Sequence, residues 1–186
     1  LITSPLDEMS APHFVNRVRD FLVGILCTDT EGCQQQLDTS GYKVISSLDW
    51  EMQQAAEKWV LSVRSTQIKD YKAYLKTIGV KPTKWLQAIH GLSINNAAVA
   101  TLDARTGEIL AYAGSADYYG EADGTLFQPE YDVLSGYRQP GSSIKPITYA
   151  YALENRAVTP ATILMDVPVD FGQGWTPASS EGNEHG

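Results

Sequence analysis

Ser142 and Lys145 stand three residues apart in the stretch Arg138-Gln139-Pro140-Gly141-Ser142-Ser143-Ile144-Lys145-Pro146. A serine hydroxyl is a poor nucleophile until a neighbour takes its proton. An amine can do so once burial, or the positive end of a helix, makes it give up its own proton. Three residues is one helical turn, so the two side chains share a face. The free N–H groups of a first helical turn also suit a developing oxyanion. The chemistry this spacing allows is acyl transfer through a serine ester. The plainer reading of the same tetrad is a serine N-cap followed by an exposed lysine.

The pair has to be positioned by the elements around it. Pro140-Gly141 is a turn signal, and Ile147, Tyr149, Ala150, Tyr151, Ala152 and Leu153 form an apolar run behind it, so a helix is expected from Ser142 to about residue 155. Pro146 fits a first helical turn but disfavours helical geometry at Lys145. An irregular first turn is therefore expected. Upstream, 97–103 and 108–114 read as strands around the turn Ala104-Arg105-Thr106-Gly107. The Gly-, Asp- and Tyr-rich 115–137 reads as a long loop leading to Ser142, with Tyr118 and Tyr119 as candidate cleft residues.

The earlier chain reads as an amphipathic helix over 10–24, with Ala11, Phe14, Val15, Val18, Phe21, Leu22 and Ile25 on its apolar side. His13 within it reads as a packing residue. Residues 29–32 read as a turn, and Tyr42, Val44 and Ser46 as a short strand. Asp49 reads as the N-cap of a helix from Trp50 to about Arg64, with Met52, Ala55, Ala56, Trp59, Val60 and Val63 as its apolar face. In 65–95, five lysines interleave with Tyr71, Tyr74, Leu75, Trp85 and Leu86. Such interleaving occurs in polymer binding, but a partly exposed helical excursion with snorkelling lysines is the simpler reading. After Thr159-Pro160, a bend, 166–169 reads as extended, and the tail from Gly172 holds no core.

The chain has 186 residues, 43% hydrophobic and 19% charged, as in ordinary globular proteins. Its net charge of −8 argues against nucleic acid and anionic membrane surfaces as partners. No apolar run is long enough to cross a membrane and no signal peptide opens the chain. Leu1 reads as a boundary or processing point. Cys27 and Cys33 are close enough for a short loop disulfide, which would suit an extracytoplasmic location, or they are free thiols. The three scattered histidines give no metal constellation, and no cofactor is expected.

The Ser142 segment, together with Tyr149, Ala152-Leu153 and Thr159-Pro160, resembles the active-site segment of penicillin-binding transpeptidases, whose first motif is Ser-x-x-Lys. The run from Ala97 to Ala111 resembles the hairpin that opens their transpeptidase domain. Ala11-Pro12-His13-Phe14-Val15 and the run from Gly41 to Asp49 resemble the segments joining glycosyltransferase and transpeptidase in bifunctional, class A members. The resemblance implies an α+β fold: an incomplete transpeptidase or serine β-lactamase-like domain, helices packed on an antiparallel sheet, with an N-terminal linker region. It divides the chain into a linker over 1–96 and the first part of a transpeptidase domain over 97–186.

The same resemblance implies a D,D-transpeptidase with catalytic Ser142 and Lys145. Its partners would be peptidoglycan stem peptides and β-lactams. Its place would be the outer face of a bacterial membrane to which the full-length protein is anchored. The family's second and third motifs, Ser-x-Asn and Lys-Thr/Ser-Gly, lie downstream of the first. Neither follows Lys145 here, and the upstream Ser93-Ile94-Asn95 is a chance match. The chain is therefore expected to be an inactive fragment awaiting the rest of its domain. The alternatives are a serine β-lactamase or D,D-carboxypeptidase, and a non-catalytic cell-wall scaffold or β-lactam sensor.

Overall fold

Residues 9–27, 32–65, 67–124, 126–164, 167 and 169–176 are described by the computed structural model, the side chains of Gln34 and Asp38 excepted. The chain divides into two compact units, Leu1–Tyr137 and Arg138–Gly186. In the first, Pro12 starts α1 (Pro12–Leu26) in the position where a missing N–H costs nothing. Ala11, Pro12, His13 and Phe14 are buried, whereas Phe21 and Ile25, expected on the packed face, are exposed. Cys27 and Cys33 form a disulfide, with Cα atoms 5.9 Å apart, between the end of α1 and the start of α2 (Cys33–Thr39). The expected turn at 29–32 lies outside the described residues except for Gly32, which takes φ +95°.

The expected strand at 42–46 does not form. Among the described residues the segment has no partner strand; beyond its end the Ser47 hydroxyl donates to the Ile109 carbonyl and the Asp49 N–H to that of Leu110. Asp49 then caps α3 (Trp50–Ser65) as expected, its carboxylate accepting from the Met52 N–H at 2.9 Å. The buried face of α3 is rotated from the apolar stripe read in the sequence. Gln53, Ala56, Val60 and Ser62 are buried, while Met52 and Trp59 remain exposed.

The rotation has a polar cause. The buried Gln53 amide donates to the Tyr112 carbonyl at 3.1 Å and accepts the Tyr112 N–H at 2.7 Å. Both polar backbone groups of Tyr112 are thereby paired, as a neighbouring strand would pair them. Tyr112 lies on β2 (Ile109–Ala113), which is antiparallel to β1 (Val99–Leu102), with a register shift between Thr101 and Leu102. The hairpin follows the reading of the turn closely: Asp103 accepts the N–H groups of Arg105 and Thr106, and Gly107 takes φ +76°. Ala56, Val60, Ala111, Ala113, Ala116 and Phe127 form the core between α3 and the hairpin.

The harder stretch 65–95 folds as two short helices, α4 (Tyr71–Thr77) and α5 (Lys84–Ile89), around Tyr71, Leu75, Val80 and Leu86. Leu75 and Leu86 are fully buried, a contribution of roughly 1.5–3 kcal/mol each. The loop 115–137 is fastened back onto this unit. Arg64 pairs with Asp117 at 3.4 Å and lies 3.7 Å above the Phe127 ring. Tyr118 and Tyr119 line a hollow of about 740 Å³, where Tyr118 meets the His13 ring edge-on.

His13 is buried as a packing residue. The Ser115 hydroxyl donates to the Pro129 carbonyl at 2.6 Å, so His13 Nε2 donates to Ser115 Oγ at 2.9 Å. A Cβ on Gly114 would fall 2.8 Å from the His13 ring and 2.5 Å from the Asp132 carboxylate, so only glycine lets α1 and the loop close here. Burial lowers the His13 pKa, with Asp132 the chief opposing influence. Burial, reinforced by a 2.7 Å hydrogen bond to Asp132, pushes the Tyr112 phenol up to about 12.

Candidate active site

Two residues ahead of Ser142 set its position. Pro140 sits at φ −71° and Gly141 at φ +53°, a left-handed conformation natural to glycine. The chain turns there and enters a 3₁₀ turn, Gly141–Ile144, that runs into α6 (Lys145–Glu154). The irregular first turn expected from Pro146 is this 3₁₀ segment. It lets Lys145 adopt helical φ −55° and ψ −45° despite the proline after it, whose missing N–H falls in the first turn of α6.

The two adjacent serines are not equivalent. Ser143 directs both its N–H, at 3.1 Å, and its hydroxyl to the Pro140 carbonyl. It closes the turn, a role the sequence reading left unassigned; the signal for it is a serine three residues after the proline of a Pro-Gly turn. Ser142 caps nothing. Its side chain has no hydrogen bond among the described residues, and its N–H has no backbone acceptor. Its carbonyl accepts the Lys145 N–H, which places the two residues on successive levels of one turn.

Both Ser142 and Lys145 are exposed, and no hydrogen bond joins their side chains. None of the residues of α6 is buried, and its apolar side chains, Ile147 and Tyr151 among them, face outward. Beyond α6, Ala157 donates to the Ala152 carbonyl and Arg156, at φ +56°, to that of Leu153, the paired bonds of a Schellman ending. A notch of about 240 Å³ lies between Tyr149, Leu153, Val158, Pro160 and Leu164. Residues 166 and 168 of the stretch read as extended lie outside the described residues, as does the tail from 177. Ser93 and Asn95 lie in the first unit, in the loop between α5 and β1, with Ser93 at φ +55°.

A model of the penicillin-binding protein transpeptidase domain matches residues 97–184, a span that holds both the hairpin and the Ser142 turn. The segment 97–184 belongs to the penicillin-binding protein transpeptidase family. Its α+β character agrees: helices with a two-stranded antiparallel sheet, an incomplete version of that domain. Penicillin-binding protein 1A of Neisseria gonorrhoeae is 33% identical over 95 residues, 48% of this chain and 11% of the relative. Penicillin-binding protein 1A of Rickettsia bellii is 32% identical over 134 residues, 67% of this chain and 15% of the relative. This chain thus spans a small part of the length of the penicillin-binding proteins it matches. No solved structure matches it significantly.

The transpeptidase-like segment carries no metal constellation: among the described residues no three histidine, cysteine or carboxylate side chains are placed to hold an ion. No described helix is long and apolar enough to cross a membrane. What the turn offers chemically is one uncommitted hydroxyl, one unpaired N–H beneath it, and one amine a turn later.

Proposed function

We propose that Ser142 is the nucleophile of a peptidoglycan D,D-transpeptidase and Lys145 its general base. The reading rests on the division of labour between the serines: Ser143 is tied to Pro140, and Ser142 is left free at the tip of the turn. In the full-length enzyme Ser142 Oγ attacks the D-Ala-D-Ala carbonyl carbon of a stem peptide as its proton passes to the Lys145 amine. The Ser142 N–H supplies one donor to the oxyanion. The tetrahedral intermediate collapses, the terminal D-alanine leaves with the proton, and a stem-peptide amine then takes the acyl group from the ester. β-Lactams acylate the same hydroxyl.

This chemistry belongs outside the cytoplasm, on a membrane-anchored protein, and the Cys27–Cys33 disulfide suits that compartment. The exposed apolar side of α6 is the surface that the remainder of the transpeptidase domain would cover. The deciding experiment is uptake of a fluorescent penicillin. Ser142→Ala in the full-length protein is expected to abolish labelling, while Ser143→Ala leaves labelling intact. Labelling of Ser142→Ala at the normal rate would end this reading. The 186-residue chain alone is expected to take up little of the probe.

A further inference from the structure

The excursion 65–95 carries five lysines and one carboxylate, Asp70, on a chain whose net charge is −8. All five, Lys69, Lys72, Lys76, Lys81 and Lys84, are exposed. The described ion pairs are Arg64–Asp117 and Arg105–Asp103, so none of these lysines is neutralised by a carboxylate among the described residues. A local positive field on an acidic protein selects an acidic partner.

The apolar sides of α4 and α5 are already closed over Tyr71, Leu75, Val80 and Leu86. What the helices themselves leave outward includes Trp85; the exposed aliphatic side chains Ile68 and Leu92 lie outside α4 and α5. Trp59 of α3 and Trp85 of α5 meet with ring centroids 5.9 Å apart and planes tilted by 37°. They stay 41% and 46% exposed although two elements bring them together. Exposed tryptophans of this kind mark interaction surfaces, and their flat faces suit the C–H face of a sugar ring. A membrane surface would call for an outward aliphatic face, which α4 and α5 have turned inward.

We propose that Trp59 and Trp85, with Lys81 and Lys84 close to Trp85 in the chain, form a docking surface for a peptidoglycan strand, the tryptophans taking the sugars and the lysines the stem-peptide carboxylates. The occupant is the polymer assigned to Ser142, so the proposal rests on that reading, but the surface is independent of the Ser142 turn.

The test is co-sedimentation of the 186-residue chain with purified, protein-free sacculi, beside phosphatidylglycerol vesicles. The wild-type chain and Ser142→Ala are expected to sediment equally with sacculi and not with vesicles. Trp85→Ala is expected to weaken retention about fivefold, with Trp85→Phe intermediate. The paired Lys81→Gln and Lys84→Gln changes, both at exposed sites, are expected to flatten the dependence of retention on salt. Helical circular dichroism checks that each variant is folded. Unchanged retention in both the Trp85→Phe and the lysine variants, or equal retention on vesicles, overturns the proposal. Loss of penicillin labelling in Ser142→Ala bears only on the active-site reading.

Discussion

Ser142 and Ser143 have the same side chain and opposite duties, and the difference comes from the backbone before them. Gly141 at φ +53° aims the chain so that Ser143, not Ser142, reaches back to the Pro140 carbonyl. Gln53 is a second residue whose role depends on geometry. Its amide holds both backbone groups of Tyr112, so Gln53→Leu would leave a buried N–H and a buried carbonyl unpaired. The expected loss is roughly 3 kcal/mol, measurable by urea unfolding. Ser142 and Lys145 were legible in the sequence because their spacing is local. Gln53 was not, because a glutamine among apolar neighbours reads as a solvent position until its partner, 59 residues away, is known.

At the scale of elements, those with a local stop or start signal were readable. Asp49 named the start of α3, and the Asp103 to Gly107 turn named the hairpin. The strand expected at 42–46 failed because alternation says what a segment can do and not whether a partner lies beside it. The 65–95 excursion was opaque because its core is local to it and mixed with lysines. The disulfide joining α1 to α2 was open between two states in the sequence and is paired in the structure. Its loop is short, so by chain entropy its reduction should cost about 2 kcal/mol. Thermal melts with and without reductant measure that, and a Cys27→Ser, Cys33→Ser double variant should match the reduced protein.

For the molecule as a whole, the two units differ in what holds them. The first has three buried clusters, whereas none of the described residues from 138 onward is buried. Stability measured by melting is therefore expected to report the first unit, and its pH dependence follows from His13 and Tyr112. The fold keeps His13 neutral, so below the ordinary value of 6.5 the unfolded chain takes up the proton first, and stability falls with falling pH. The fold also keeps Tyr112 protonated up to about 12, so above 10.0 the unfolded chain loses that proton first, and stability falls with rising pH. Melts across the range should give a plateau between these limits. Tyr112→Phe should remove the alkaline fall and leave the acid one.

The grip of α3 on the hairpin also gives the sheet a direction of growth. Ser47, Asp49 and Gln53 occupy the outward backbone groups of β2, so that margin is shut to any newcomer. Among the described residues nothing ladders onto the far side of β1. Further strands can enlarge this sheet from one flank alone, alongside Val99–Leu102, and a stray chain in search of an open edge meets only half the invitation a bare hairpin would extend.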